Sequence, residues 1–163
     1  MTQFDPRIQV QVTRTRRAWL DVTISPFELQ SALALRAGSV KSWFKLPAPD
    51  TYGCELLLQM LLDDADGNRV AMAEIVVEQI YLVHGFDAAG LKDVLEQQLP
   101  AIAMPYARAG IAALMQSSAY QNVLLPVVLP GADAAATEVD ARTRKPVEAT
   151  QPPVPAENVE VAL

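Results

Sequence analysis

The residue types on which most enzyme chemistry depends are scarce in this sequence. It contains one histidine, His84, and one cysteine, Cys54. A general base that titrates near neutral pH is most often a histidine, but His84 follows a β-branched run beside Gly85, where an edge or loop histidine is more common than a catalytic one. One histidine and one cysteine cannot build a zinc site of the usual ligand set within a single chain. The sequence therefore predicts a protein that is not an enzyme and has no cofactor.

An acidic segment at residues 63–68 has part of the pattern of a calcium-binding loop. Asp64, Asp66 and Gly67 match the loop's internal positions. However, with Gly67 at the invariant glycine, the first ligand position is Leu62 and the last is Ala73, neither of which can bind calcium. Asp-Gly is also a strong signal for a hairpin turn, because it supplies the positive φ angles that such turns require. A turn between two strands accounts for this segment without a metal.

The composition excludes several classes of partner. The chain has 163 residues, 51% of them hydrophobic, a net charge of −6 and a pI near 4.7. Duplex nucleic acid requires clustered Lys and Arg, so we expect a protein or small-molecule partner and no nucleic acid. A lone cysteine suits a reducing compartment. The N-terminus lacks the grading of a signal peptide, and no apolar run approaches the roughly 20 residues of a membrane span, so we expect a cytoplasmic protein without membrane insertion.

Period-two hydrophobicity dominates the first half of the chain. Apolar residues fall on even numbers from Ile8 to Ile24, which predicts one long bent strand, or two strands joined by a bulge, with a single face toward the core. Residues 27–41 fit either a short helix or a strand, and we favour the strand. Two prolines in residues 42–51 predict a crossover loop. Alternation returns at residues 54–62, and residues 69–83 form the strand that follows the hairpin turn.

Helices follow the strands. Residues 91–99 carry an apolar stripe that Pro100 interrupts, and Pro105 suits the first turn of a second helix ending near Ser118. After Gly131 the composition loses its period. We therefore predict one α+β domain at residues 1–130, with an antiparallel four-stranded sheet and helices packed on one face, and a disordered C-terminal tail at residues 131–163.

Three groups of side chains are candidates for a binding surface. The aromatic residues Trp43 and Phe44, on the proline-bounded loop with Leu46, either plug the core or capture apolar segments of a partner, and Trp19 is a third informative aromatic residue. The arginines at positions 14, 16 and 17 either bind an acidic partner or protect a solvated strand edge. The second helix carries small residues that suit packing against another helix or against the protein's own sheet.

Two local motifs resemble the SecB family of export chaperones. Residues 73–87, AEIVVEQIYLVHGFD, are similar to that family's last long strand and the turn after it. Met104-Pro105-Tyr106-Ala107-Arg108, followed by Ile111, Leu114 and Met115, resembles the family's Phe-Pro-Tyr-Ala-Arg helix start, and Leu125-Pro126-Val127 is similar to its Ala-Pro-Val segment. The resemblance covers roughly residues 51–128. The family's paired glycines in the last strand are Glu78 and Gln79 here, and its aromatic-rich final helix is replaced by an Ala-rich stretch.

The resemblance implies a homotetramer, a dimer of dimers, that binds unfolded or precursor proteins without ATP. Client binding is then expected at Trp43, Phe44 and Leu46. In that family an acidic and an apolar residue on the last long strand dock the motor ATPase SecA, and the matching positions here are Glu74 and Met72. A relative that serves one partner, such as an antitoxin, is the alternative. The oligomer interface is expected on the second helix, at Tyr106, Ala109, Ile111 and Ala113.

Overall fold

The structure, a computed structural model, describes residues 5–25, 32–123, 125, 129 and 135–142 and the backbone of residues 159–161. Four long strands precede two helices, which are joined by a π-helical turn, and two short strands follow. In chain order the elements are β1 (Ile8–Val22), β2 (Leu33–Lys45), β3 (Thr51–Asp63), β4 (Arg69–Val83), α1 (Ala88–Asp93), the π turn (Val94–Gln98), α2 (Leu99–Gln116), β5 (Thr137–Glu138) and β6 (Val159–Val161).

The four long strands form an antiparallel sheet in the order β1-β4-β3-β2. The helix α2 packs across β3 and β4 on one face, which we call the helix face. The opposite face, which we call the far face, carries the alternate residues of β3 from Glu55 to Asp63 and of β4 from Met72 to Glu78. An α+β fold with an antiparallel four-stranded sheet and helices on one face is the predicted fold class, and it is confirmed.

The hairpin between β3 and β4 confirms the turn predicted from the acidic segment. The Asp64 carboxylate accepts hydrogen bonds from the backbone N–H groups of Asp66 and Asn68 and from the Asn68 side chain, and Gly67 has a φ of +82°. The bond from the Asn68 side chain is the main reason that the pKa of Asp64 is lowered. These contacts fix the turn with groups of the chain itself.

Strand β1 changes faces twice, which the sequence pattern did not reveal. The register with β4 shifts once between Val10 and Val12 and again between Thr15 and Arg17. Each shift inserts one residue, so the first moves the following side chains to the other face and the second restores the phase. The prediction of a single core-facing side is therefore right for Ile8 and for Leu20 but wrong for Val12, which points to the far face. Because β1 is an edge strand, Ile8 is its one buried residue.

Strand β2 is longer than predicted. Leu33 to Lys41 form a strand, as we favoured, whereas Phe27 and Leu29 lie outside the described residues. The predicted crossover loop is wrong for residues 42–45, which continue β2 and pair directly with β3, for example Trp43 with Cys54. The connection is a short loop at residues 46–50, because the two prolines begin only at Pro47 and leave the preceding backbone donors free for the ladder.

The helical region is continuous from Ala88 to Gln116, so the predicted break at Pro100 is wrong. Pro100 lies in the first turn of α2, where a missing N–H is tolerated, and the irregularity is the π turn before it. The Glu96 carbonyl in the π turn accepts a hydrogen bond of 2.8 Å from the Ala136 N–H. Pro105 sits inside α2 and does not begin it.

Two hydrophobic clusters lie on the helix face. The larger joins β3 and β4 to α2 and includes Leu58, Ile75 and Ile111, while the smaller joins Tyr52, Cys54 and Tyr81 to the π turn and the start of α2. Full burial of one such side chain stabilises a fold by about 1.5–3 kcal/mol. The packing of α2 against the sheet therefore holds the helix face together.

The segment predicted to be a disordered tail contains β5 and β6, both of which pair with β2. Strand β5 runs parallel to β2, and β6 runs antiparallel to it. The domain boundary at residue 130 and the disorder of the rest of the tail stay predictions.

Candidate functional site

The far face carries a row of carboxylates that arginines neutralise. Glu78 is 1% exposed and lies 2.6 Å from Nε of Arg14 and 3.0 Å from Nη1 of Arg16. Glu74 is 4% exposed and lies 2.5 Å from Arg17. Buried carboxylates are costly unless they are paired, and the second bulge of β1 brings both Arg14 and Arg16 onto Glu78. The arginines of the predicted basic patch are thus tied to the neighbouring strand.

A second ion cluster lies at the hairpin end of the same face. Asp63 is paired with Arg36 on β2, and its carboxylate lies 2.6 Å from Nε of Arg69 on β4. The Arg36 and Arg69 side chains are 31% and 38% exposed. The two arginine side chains are partly exposed while the Asp63 side chain is 8% exposed, so the buried carboxylate is paired with two arginines.

The two residues proposed from the resemblance to dock a motor ATPase both lie on the far face. Met72 is half-buried, and Glu74 sits between Met72 and Val76 on the same side of β4, as expected from their spacing. Gln59 Nε2 donates to the Glu74 carboxylate at 3.3 Å. Because Glu74 is bonded to two neighbours, a partner would meet an ion pair there and not a free carboxylate. The docking role stays a prediction.

Apolar side chains surround these charges on the far face. Trp19 is 46% exposed and lies opposite Glu74 in the β1–β4 register, while Val12 and Val40 are 44% and 38% exposed. Val40 was not among the sequence candidates. The sequence feature that places Trp19 away from the core is its odd residue number, because the apolar residues assigned to the core in this strand have even numbers. The exposed apolar side chains of the far face therefore lie on the outer strands β1 and β2, while those of the central strands, such as Leu57 and Val76, are buried.

The three residues predicted to bind clients do not form one patch. Phe44 points to the far face and is 3% exposed, because its ring covers Gly53 of β3. Trp43 points to the helix face and makes an edge contact with Tyr52 at a centroid distance of 6.5 Å. Leu46 is half-buried in the loop after β2. Without rearrangement, Phe44 offers a partner almost no surface.

An apolar groove lies between α2 and the segment that follows it. Its volume is about 360 Å³, and its walls combine Ala109, Ala112 and Met115 of α2 with Val123 and Leu125 of the segment after it. Arg108 donates a hydrogen bond of 3.3 Å to the Leu125 carbonyl and so ties that segment to the helix. The groove is therefore a concave surface with mainly apolar walls.

The residues predicted to form an oligomer interface divide into two groups. Tyr106 is 50% exposed, and Ala109 and Ala113 are exposed beside it on α2. Ile111 is 0% exposed and belongs to the core between α2 and the sheet. A partner can contact the first group directly, but it cannot contact Ile111 unless α2 moves.

The single cysteine and the single histidine both lie among the described residues. Burial raises the pKa of the Cys54 thiol to about 12, so almost no thiolate forms at neutral pH. His84 is exposed just before the turn at Gly85. Among the described residues, no three His, Cys, Asp or Glu side chains lie close enough to hold a metal, and no described helix is long and apolar enough to cross a membrane.

Comparison with known proteins assigns the fold to a class. No protein-family model and no curated protein matches the chain. Among solved structures, the chain is similar to the Mycobacterium tuberculosis Rv1957 SecB-like chaperone, which was solved in complex with a ChAD peptide from the Rv1956 HigA1 antitoxin. The match has a TM-score of 0.63 and 16% sequence identity, and it covers 76% of this chain and 92% of the chaperone chain.

The chain therefore has a SecB-like fold. The Mycobacterium protein to which the chain is similar in fold is a chaperone that was solved with a peptide bound. The resemblance carried by the strand at residues 73–87 and the helix start at residues 104–108 thus agrees with the fold of the whole domain.

Proposed function

We propose that this protein is an ATP-independent chaperone, a holdase, that binds unfolded polypeptides in the cytoplasm, including precursors destined for export. The observation that carries the proposal is the SecB-like fold, which the chain shares with a chaperone solved in complex with a peptide. The exposed apolar side chains on the far face and the groove along α2 support it, because both offer apolar area to an extended chain.

Binding would combine many weak apolar contacts. Each Å² of apolar surface removed from water contributes about 25 cal/mol before ordering costs, so an extended segment must cover several such sites to bind stably. The α2 groove and the exposed ring of Trp19 supply the accessible area. Trp43 and Leu46 can add to it, while Phe44 contributes mainly by holding its neighbours in place.

Assembly and motor docking extend the same proposal. We propose a homotetramer whose interface uses Tyr106, Ala109 and Ala113, because these exposed positions combine an aromatic ring with small residues that permit close approach of a second helix. Docking of a SecA-type motor would use Met72 and the Glu74–Arg17 ion pair on the far face.

A module dedicated to one partner is the second candidate. One observation favours it: the similar chaperone was solved with a peptide from an antitoxin, a single defined partner. Such a module would use the same surfaces but would recognise particular side chains of its partner. A holdase needs no such recognition, because main-chain and apolar contacts are available in any unfolded polypeptide.

A panel of unrelated unfolded proteins and short peptides separates the two candidates. We expect the purified protein, without nucleotide, to bind most unfolded members of the panel within about tenfold of one another in Kd, because apolar contacts discriminate weakly. Folded forms of the same proteins serve as matched controls and should not bind. Binding restricted to one member would favour the dedicated module, and binding to none would refute both.

A further inference from the structure

The outer edge of β2 is occupied by the chain's own C-terminal segment. On its inner side β2 pairs with β3 along its whole length. On its outer side, β5 runs parallel to it at Ser42 and Trp43, and β6 runs antiparallel to it from Leu33 to Leu35. Between these two short strands, the outer edge at Gly38 and Ser39 has no strand beside it within the described part of the chain.

The segment at residues 135–142, which we call the strap, is held mainly by its backbone. The Ala136 N–H donates a hydrogen bond of 2.8 Å to the Glu96 carbonyl of the π turn. Val139 donates 2.8 Å to the Trp43 carbonyl of β2. Ala136 is the one buried side chain in the strap, while Thr137, Glu138 and residues 140–142 are exposed. Little apolar area therefore opposes its release.

Strands on this edge are accepted in both directions, since β5 is parallel and β6 is antiparallel. Main-chain hydrogen bonds give affinity for an extended segment whatever its side chains are. An edge that takes strands of either direction suits a partner of unspecified sequence, which is what an unfolded polypeptide is.

We propose that the outer edge of β2 is a strand-addition site for extended polypeptide, and that the strap occupies it when no such polypeptide is bound. The inference rests on the proposed holdase function and deepens it by naming the contact and its regulation. Polypeptide and strap compete for Trp43 and its neighbours, so the apparent affinity for polypeptide is reduced by the fraction of molecules in which the strap is in place.

Proline at position 139 tests this competition in the full chain. Val139→Pro removes the N–H that bonds Trp43, and the preceding Glu138 is already in a strand, the conformation that a following proline favours. Ala141→Pro is the matched control, because Ala141 is exposed in a turn and its amide donates no hydrogen bond to another described residue. The probe is fluorescently labelled, reduced and carboxymethylated α-lactalbumin, which cannot refold, and the readout is fluorescence anisotropy.

We expect Val139→Pro to lower the Kd roughly tenfold relative to the unmodified protein and to Ala141→Pro, because an open strap no longer competes. Equal Kd values for all three proteins, or an equal gain in affinity for both variants, would contradict the proposed competition between strap and polypeptide. Neither result would contradict the holdase function. Failure of all three to bind the probe would overturn both.

Amide hydrogen exchange supplies a second readout in the unmodified protein. Saturating probe should slow exchange in residues 37–43 of β2 and speed it in residues 136–139 of the strap, because one replaces the other. Protection elsewhere with the strap unchanged would overturn the proposed site even if the probe binds.

Discussion

Replacing Gly53 with valine lowers the free energy of unfolding by about 1–3 kcal/mol, the usual cost of forcing extra atoms into a packed site. A Cβ atom at position 53 would lie 2.1 Å from Cζ of Phe44 and within 2.7 Å of both neighbouring ring carbons. Phe44 is 3% exposed, so the ring cannot swing away without losing its own packing. Urea unfolding followed by circular dichroism measures the change.

A double-mutant cycle isolates the contact between the two residues. Phe44→Ala alone should cost about 3–5 kcal/mol, but Gly53→Val combined with Phe44→Ala should cost less than the sum, because the valine fills space that the ring vacates. Thr51→Ser, on the same strand and half-buried, is the control and should change little, because it keeps the hydroxyl that donates to the Pro49 carbonyl. Additive costs for the two substitutions would contradict the described packing of Phe44 on Gly53.

Replacing Ile111 with alanine lowers the free energy of unfolding by about 2–5 kcal/mol. Ile111 is fully buried in the core cluster that joins α2 to the sheet, so its truncation leaves a cavity that the neighbouring side chains can fill only in part. Urea unfolding measures the stability, and light scattering measures the mass of the assembly.

Ala109→Glu is the matched variant on the exposed side of the same helix. It should change the free energy of unfolding of the chain by no more than about 0.5 kcal/mol, as surface substitutions usually do. If Ala109 lies in the proposed tetramer interface, the added charge should lower the solution mass below four times the 17.7 kDa chain. A stable Ile111→Ala protein with a reduced mass would instead place Ile111 at the interface and contradict its core position.

The sequence predicted the central strands well because their periodicity reports the face of the sheet on which each side chain lies, although both faces of β3 are buried. In β3 the alternation from Cys54 to Leu62 corresponds to residues that face α2, with Glu55 and Gln59 on the far face. The edge strand β1 was harder, since a bulge changes the face of every later residue and leaves the composition unchanged. Two bulges that compensate each other leave a periodic pattern whose middle is out of phase, and this is why Val12 was placed on the wrong face.

The helix break predicted at Pro100 and the crossover loop predicted at residues 42–51 were wrong for the same reason. A proline removes a single backbone N–H. The loss has little effect on the fold where no hydrogen bond is needed from that residue. At Pro100 the loss falls in the first turn of α2, next to the π turn. At Pro47 the loss falls after β2 has ended, so the strand continues to Lys45.

The candidate site was predictable only in its outline. The sequence indicated that Glu74 shares a face with Met72, but its pairing with Arg17 depends on the register between β1 and β4, which spans distant parts of the chain. Trp43 and Phe44 were grouped because they are adjacent, yet adjacent residues of a strand point to opposite faces. The α2 groove needs the chain after the helix to fold back, which no local pattern specifies.

Suppression of client aggregation tests the central claim most directly. A chemically denatured protein is diluted into buffer with no nucleotide, and its light scattering is followed with increasing amounts of the purified chain. The account predicts that scattering falls in proportion to added chain and is abolished near a stoichiometric ratio, while an equal mass of an inert folded protein has no effect. Scattering that is unchanged at a large excess of the chain, for every client tried, would contradict the proposal that this SecB-like fold binds unfolded polypeptide.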